Sequence, residues 1–216
     1  MPYTPALPLV DVIDYGGGNL GSLTRALDRL KQPYRLVAGK ETNTWPSLSA
    51  PLLLPGVGAF GAMMHALQQR GLVEALNEAN AKAVPLLGIC VGLQVLFEGS
   101  DESPAAAGLG WLAGRVVKLP CPKVPQIGWN WLNVRPADAQ RWPEGYVYYV
   151  NSYVAQPAPA SQQAVLYTST YQGVTLCGGV QQGHLTAFQF HPEKSGDFGE
   201  KLLTTWLQTV AATVTV

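Results

Sequence analysis

The sequence predicts an α/β fold with a mostly parallel central sheet and added antiparallel strands. In the first half of the chain, short apolar runs alternate with segments of helical periodicity, which is typical of parallel strands joined by helices. In the second half, strand-like segments follow one another with short turns, which indicates antiparallel strands. The chain has 216 residues, 47% of them hydrophobic, and can bury one large core. We expect a single domain over residues 1–216.

The first half supplies the predicted parallel strands and the helices between them. Strands are expected at residues 7–13, 34–37, 52–54 and 84–88. Helices are expected at 20–30, at 61–81 with an interruption near Gly71, and at 91–97. Asn19 is suited to cap the first helix, and Pro33 ends it because proline has no backbone N–H.

The second half supplies the predicted antiparallel strands. They are expected at residues 116–119, 129–134, 146–154, 164–168, 174–180 and 185–190. A final helix is expected over about residues 199–210. We assign both halves to one domain, since no repeat and no low-complexity linker separates them.

Composition excludes several classes of protein. The formal net charge is +0, so a nucleic-acid or membrane-surface partner is not expected. The first eight residues lack the basic region of a signal peptide, and no segment reaches the roughly 18 apolar residues of a membrane span. The three cysteines, Cys90, Cys121 and Cys177, form no C-x-x-C pair, which argues against a zinc ribbon or a disulfide framework. We therefore expect a cytoplasmic protein.

Cys90 lies in a strand–G-x-C-x-G–helix segment, between Gly88 and Gly92. This is the pattern of a nucleophile elbow, in which small flanking residues permit a sharp turn that exposes the nucleophile. The following helix N-terminus favours a thiolate, and the N–H of Val91 is placed to stabilise an oxyanion. Most free cysteines are buried core thiols, but this context favours a nucleophile. Cys121 and Cys177 lack this sequence context and are interpreted as structural.

A thiol nucleophile needs a base, and the base needs an orienting group. His191 follows a predicted strand and precedes Pro192, and Glu193 is spaced to orient its imidazole. The tripeptide alone occurs by chance in ordinary turns, but together with the elbow it predicts a Cys-His-Glu triad. His65 falls in a helix and His184 in a hairpin turn. H-x-E also opens the zinc deaminase signature, but the required P-C-x-x-C is absent, so no metal is expected.

Two glycine segments match G-x-G-x-x-G. The first, at residues 16–21, follows a strand, precedes a helix and has Glu41 about 20 residues on, which formally fits a dinucleotide site. The second, at 56–61, follows a strand whose end lies at the same sheet edge as the elbow. Since the chain holds 23 glycines, such matches arise easily. We interpret the second as a loop that approaches a substrate closely or aims an N–H at an oxyanion.

Together these motifs resemble the class I, triad-type glutamine amidotransferases, and more narrowly the glutaminase subunits of imidazole glycerol phosphate synthase, in histidine biosynthesis. The matching segments, in the family's order, are residues 14–20, 55–61, 88–94, 124–130, 148–153 and 188–195. The elbow and His-Pro-Glu specify only the superfamily. The Gly-Trp-Asn segment and the two glycine segments point to this subunit. The resemblance implies a three-layer, flavodoxin-like α/β fold.

The resemblance also implies a catalytic cycle and the residues that perform it. Cys90 attacks the carboxamide of L-glutamine to form a γ-glutamyl thioester, His191 moves the proton, and Glu193 orients His191. The implied oxyanion donors are in Val57, Gly58 and Val91. The implied glutamine-binding residues are Gly56, Gln94, Asn151, Ser152 and Tyr153. No cofactor is implied.

Ammonia would then pass to a (β/α)8-barrel cyclase subunit, which makes imidazole glycerol phosphate and the aminoimidazole carboxamide ribonucleotide. The positions that match the family's subunit interface are Asn19, Trp129, Tyr148 and Lys194. The sequence departs from the family at Gln126 and Asn151, where the family often has histidine. Neither position belongs to the triad.

Two other functions remain open. The chain could supply ammonia to another synthase, such as those for vitamin B6 or anthranilate. It could also be a non-catalytic binding module of the same fold, including a dinucleotide binder. Cys90→Ala distinguishes the enzymes from the module, and a titration with NAD tests the dinucleotide site.

Overall fold

A computed structural model describes residues 8–18 and 20–214. Its strands are β1 Val10–Ile13, β2 Tyr34–Val37, β3 Leu52–Gly56, β4 Leu86–Cys90, β5 Phe97–Ser100, β6 Leu112–Lys118, β7 Gln126–Val134, β8 Gly145–Asn151, β9 Tyr153–Pro157, β10 Val165–Tyr171, β11 Val174–Gln182 and β12 Leu185–Phe188. Its helices are α1 Leu20–Arg29, α2 Phe60–Gln69, α3 Leu72–Ala81, α4 Val91–Gln94 and α5 Gly196–Val214.

The main sheet has nine strands in the order β2-β1-β3-β4-β12-β11-β10-β7-β8. The five strands from β2 to β12 run parallel, and those from β11 to β8 pair antiparallel. A second sheet holds β5, β6 and β9. Parallel strands on one side of the sheet and antiparallel strands on the other confirm the predicted fold class.

The core lies along the central strands. Every residue of β1, β4 and β12 is buried, as expected for strands covered on both faces. The helices contribute one apolar face each; in α1 the buried residues are Leu23, Ala26 and Leu27. Across the described residues, no helix combines the length and apolar character needed to cross a bilayer.

Three sequence predictions were wrong in detail. The helix expected at 91–97 ends at Gln94, and β5 follows it. The residues from Val91 to Phe97 are all buried. A short run that is buried on every side shows no alternation of apolar and polar residues, so periodicity cannot distinguish a helix from a strand there. The strand expected at 146–154 is two strands, because β8 pairs with β7 in one sheet and β9 with β6 in the other. The strand expected at 185–190 ends at Phe188.

Three strands end at one edge of the main sheet. In the ladder between β3 and β4, Gly56 is paired with Cys90. In the ladder between β4 and β12, Ile89 is paired with Phe188. The residues that follow β3 and β12 are therefore brought beside the end of β4. This edge is where ligand sites of parallel α/β sheets form.

Candidate active site

The elbow predicted at the end of β4 is present. Cys90 has φ 56° and ψ −110°, a conformation that L-residues rarely adopt and that the surrounding structure must enforce. A Cβ at Gly92 would overlap the carbonyl oxygen of Leu54, and one at Gly88 would lie 2.7 Å from the carbonyl oxygen of Gly92. Both glycines are therefore required for the turn that places the thiol at the sheet edge.

His191 and Glu193 lie beside this turn. His191 Nδ1 is 2.7 Å from Glu193 Oε1, and the two side chains are only 2% and 8% exposed. The histidine's backbone is also held by hydrogen bonds. Its N–H donates to the carbonyl of Tyr148 at 3.0 Å, and its carbonyl accepts from the hydroxyl of Ser195 at 2.6 Å. His191 also interacts with Cys90, which lines the same cavity and raises the pKa of the imidazole. The three predicted triad residues are thus in one chain of contacts.

The charges of Cys90 and Glu193 favour a protonated imidazole at His191. Burial by itself lowers the pKa of His191, but hydrogen bonds to Cys90 and Glu193, together with their negative charges, outweigh burial and raise the pKa to about 10. An imidazolium between a sulfur and a carboxylate can protonate a leaving amine. The geometry can therefore support nucleophilic acyl transfer with acid–base assistance.

This charge coupling predicts the titration of His191. In the wild type we expect the imidazole to stay protonated well above its ordinary pKa of 6.5 and to lose its proton near pH 10. Because the folded-state pKa lies above the ordinary value, the coupling stabilises the fold fully below about pH 6.5 and stops doing so as the pH passes 10. Histidine side-chain NMR across this range measures the transition.

Two variants serve as controls for that titration. Cys90→Ala and Glu193→Gln each remove one of the interactions that raise the pKa of His191, so each should move its transition to lower pH. An imidazole that titrates near 6.5 in the wild type contradicts the proposed coupling.

A cavity of about 400 Å³ opens onto Cys90 and His191. Its wall is formed by Val57, Gly58, Cys90, Val91, Gln94, Glu102, Pro125, Val150, Asn151, Ser152, Tyr153, His191 and Lys194. The wall includes all three residues predicted for the oxyanion hole and four of the five predicted for glutamine. The fifth, Gly56, lies behind it, where a Cβ would collide with the backbone nitrogen of Gly92.

Side-chain amides form a network along one side of the cavity. Gln94 Nε2 donates to the carbonyl of Tyr153 at 3.1 Å and to Gln189 Oε1 at 3.2 Å. Gln189 Nε2 in turn lies 3.9 Å from Cys90 Sγ. Asn151 Nδ2 donates to the same Tyr153 carbonyl at 3.0 Å. The backbone of Tyr153 is thereby tied to the elbow.

Sequence reasoning missed two residues of this site. Gln189 is fully buried and contacts Cys90; its place in the strand segment just before His191 was the available signal. Glu102 lines the cavity, and its carboxylate accepts the N–H of Phe60 at 2.8 Å at the start of α2. Glu102 lies in a loop with no motif or period, so only the tertiary structure shows it.

The two departures from the family are neighbours. Gln126 and Asn151 are paired across β7 and β8, and both are buried. Within the described residues, Gln126 Nε2 and Asn151 Oδ1 have no hydrogen-bond partner. Opposed residues of an antiparallel pair share a face, so the two amides line the same side of the sheet.

Of the predicted interface residues, Asn19 is outside the described residues. Trp129 is 58% exposed, and its ring meets the half-buried Tyr148 ring edge-on at 6.0 Å. Lys194 is exposed and also lines the cavity. Glu41, about 20 residues after the first glycine segment, forms an ion pair with Arg70 at 2.7 Å.

Comparison with known proteins decides the family. The model of the family "Glutamine amidotransferase class-I" matches residues 11–208. The chain belongs to that family. Solved structures share its fold: a glutamine amidotransferase covers 94% of this chain and 98% of its own length, with a TM-score of 0.73 at 21% identity. PurLQS from Thermotoga maritima covers 95% and 100%, with a TM-score of 0.75 at 17% identity.

Curated relatives narrow the family to one kind of class-I amidotransferase. Imidazole glycerol phosphate synthase subunit HisH of Geobacillus kaustophilus is 41% identical over 208 residues, which cover 92% of this chain and 96% of the relative. The subunit HisH of Deinococcus radiodurans is 42% identical over 221 residues, covering 98% and 99%. That of Moorella thermoacetica is 43% identical over 199 residues, covering 90% and 91%. The chain is thus a member of the HisH family.

Proposed function

We propose that the chain is the glutaminase subunit of imidazole glycerol phosphate synthase. It hydrolyses L-glutamine to glutamate and ammonia, and the ammonia passes to a (β/α)8-barrel cyclase subunit. The single observation that carries the chemistry is the buried contact chain from Cys90 through His191 to Glu193 at the floor of the cavity. We further propose that residues 1–216 act as one domain and that the protein, whose three cysteines are free, works in the cytoplasm.

The reaction steps follow from the placement of Cys90 beside a protonated His191. The Cys90 sulfur attacks the glutamine carboxamide carbon, and the oxygen takes the negative charge of a tetrahedral intermediate. Backbone N–H groups of Val57 or Gly58 and of Val91 stabilise that charge. His191 gives its proton to the departing nitrogen, so ammonia leaves and a thioester remains. His191 then takes a proton from water, whose hydroxide releases glutamate and restores the thiolate.

The cavity matches an α-amino acid in charge. Glu102 presents a carboxylate and Lys194 an ammonium on its wall, and a free amino acid carries one group of each complementary sign. We propose that Glu102 binds the α-ammonium of glutamine and that Lys194, with Ser152 and Tyr153, faces its α-carboxylate. Gln94 contributes as a support, because its amide already bonds within the wall.

An exposed apolar face on β7 and β8 supports a partner beside the cavity. Its large exposed side chains are Ile127, Trp129, Trp131, Tyr146 and Val150, all between 38% and 62% exposed. Ile127 is paired with Val150, Trp131 with Tyr146, and Trp129 with the half-buried Tyr148. Contiguous apolar surface of this kind marks interaction sites. Since Val150 also lines the cavity, a barrel docked on this face would cover the cavity mouth.

Reconstitution tests this function. We expect the isolated chain to hydrolyse glutamine poorly, and the cyclase subunit loaded with its nucleotide substrate to raise kcat by an amount on the order of 100-fold. The pair should also make imidazole glycerol phosphate with glutamine as the nitrogen source. The assay follows glutamate release and product formation together. Full glutaminase activity of the isolated chain contradicts the coupling.

The docking face is tested in the same system. Trp129→Ala removes a large exposed aromatic side chain and should weaken barrel binding at least about 10-fold, as expected for an aromatic anchor. Trp45→Ala is the matched control, since Trp45 is 39% exposed and lies outside this face. Equal barrel affinities of the two variants contradict the assignment of the interface.

A further inference from the structure

The hydroxyl of Tyr15 holds both backbone polar groups of Val57. The Val57 N–H donates to the hydroxyl oxygen at 2.9 Å, and the hydroxyl donates to the Val57 carbonyl at 3.1 Å. Tyr15 is only 3% exposed. Burial raises the pKa of its phenol, and the nearby charges of Cys90 and Asp14 add to this, against the opposing bond from Val57. The phenol therefore stays neutral and can donate and accept at once.

These two bonds occupy a group that the reaction needs. A hydrogen already donated to Tyr15 cannot also stabilise an oxyanion on the substrate, because an N–H points in one direction. Val57 immediately follows Gly56, which is paired with Cys90, so this peptide is next to the nucleophile. With its N–H turned to Tyr15, the peptide is in a resting arrangement and Val91 is left as the oxyanion donor.

The chain around Val57 allows that peptide to turn. Gly58 has φ 84°, no atom lies within 4 Å of the position of a Cβ, and a glycine can take either sign of φ without a steric penalty. On the other side, Gly56 is held tightly against the backbone of Gly92. The movable part is therefore confined to the two peptide groups on either side of Val57. The hydroxyl of Tyr15 restrains both of them.

Tyr15 also connects this peptide to the surface. It is followed by the exposed Gly16 and Gly17, and the N–H of Gly16 is held by the carboxylate of Asp14 at 2.9 Å. The segment leads to Asn19, which the family resemblance places at the subunit interface. A contact on the exposed glycines can therefore shift the phenol without any contact to the cavity.

We propose that Tyr15 is a positioning residue that restrains the Val57 amide in its resting orientation and releases it when the glycine segment after Tyr15 is contacted. This inference rests on the proposed function, since it assigns the restraint on the glutaminase to one hydroxyl group. Tyr15 touches no reacting atom of the substrate and acts through Val57.

Removal of the hydroxyl alone tests the restraint. Tyr15→Phe should raise kcat of the isolated chain about 10-fold, as expected from the loss of two hydrogen bonds. KM for glutamine should change little, and kcat of the barrel-bound enzyme should change less than about 2-fold, so that the activation ratio falls. Tyr167→Phe is the matched control, because it removes a buried hydroxyl that donates to the Pro143 carbonyl at 2.9 Å, away from the cavity wall.

Amide hydrogen exchange of Val57 provides a second measurement that does not depend on activity. In the isolated wild-type chain this amide should be protected, and the protection should be lost in Tyr15→Phe and on addition of the loaded barrel subunit. A wild-type Val57 amide that exchanges freely overturns the proposal even if Tyr15→Phe does not fold. So does a folded Tyr15→Phe variant whose isolated kcat is unchanged or lower.

The proposed function and the proposed restraint by Tyr15 can be refuted separately. If the wild-type complex is not activated by the barrel subunit, the proposed function fails. If the wild-type complex is activated normally and Tyr15→Phe behaves like Tyr167→Phe, the restraint alone is refuted.

Discussion

Glutamate release should fall at least about 10⁴-fold in Cys90→Ala, because the variant has no nucleophile and the thioester cannot form. The change removes one sulfur atom and leaves the fold able to form, although the φ of 56° at this position remains. Barrel binding should therefore be unchanged, since the thiol is 5% exposed and lies inside the cavity. A coupled glutamate assay and a binding titration measure the two effects.

Two controls make this result specific. The Cys90→Ala complex should still form product when ammonia is supplied directly, because only the source of ammonia has been removed. Cys121→Ala should keep glutaminase activity, since that thiol is outside the cavity wall and bonds to the carbonyl of Tyr171. Retained hydrolysis in Cys90→Ala would falsify the proposed mechanism.

The second large effect is expected in His191→Asn, which should lower kcat by about 10³- to 10⁴-fold at neutral pH. Asparagine cannot shuttle a proton between the sulfur and the leaving nitrogen. Alkylation of Cys90 by iodoacetamide should slow in parallel, because the variant lacks the imidazolium that stabilises the thiolate.

The other histidines serve as matched controls. His65 is exposed on α2, and His184 bonds to Asn80 Oδ1 at 2.8 Å, away from the cavity wall. His65→Asn and His184→Asn should keep the wild-type kcat within about 2-fold, as expected of substitutions outside a catalytic site. A similar loss of activity in either control would mean that the fold rather than proton transfer explains the effect at His191.

Local features of the site were predictable because they depend on few neighbouring residues. The turn at Cys90 requires small residues two positions to either side, and Gly88 and Gly92 are visible in the sequence. His191 and Glu193 are two residues apart, so one short turn joins their side chains. The alternation of strands and helices likewise follows from periodicity within each segment.

Features that depend on pairing between distant segments were missed or only partly predicted. The segment after Gln94 is a strand because β6, the next strand of the chain, offers it a partner. The break at Ser152 exists because the residues on its two sides join different sheets. Gln126 and Asn151 were recognised as separate departures, but only the β7–β8 register shows that they face each other.

By itself the sequence predicted a candidate nucleophile, histidine and glutamate, because each belongs to a short motif whose geometry is set by local backbone conformation. Only the tertiary structure decided the surroundings. Glu102 and Gln189 enter the site through contacts made across loops and strands. The bond from Tyr15 to Val57 joins residues 42 positions apart. Such contacts follow from how strands are ordered in the sheet, and no local pattern in the sequence encodes that order.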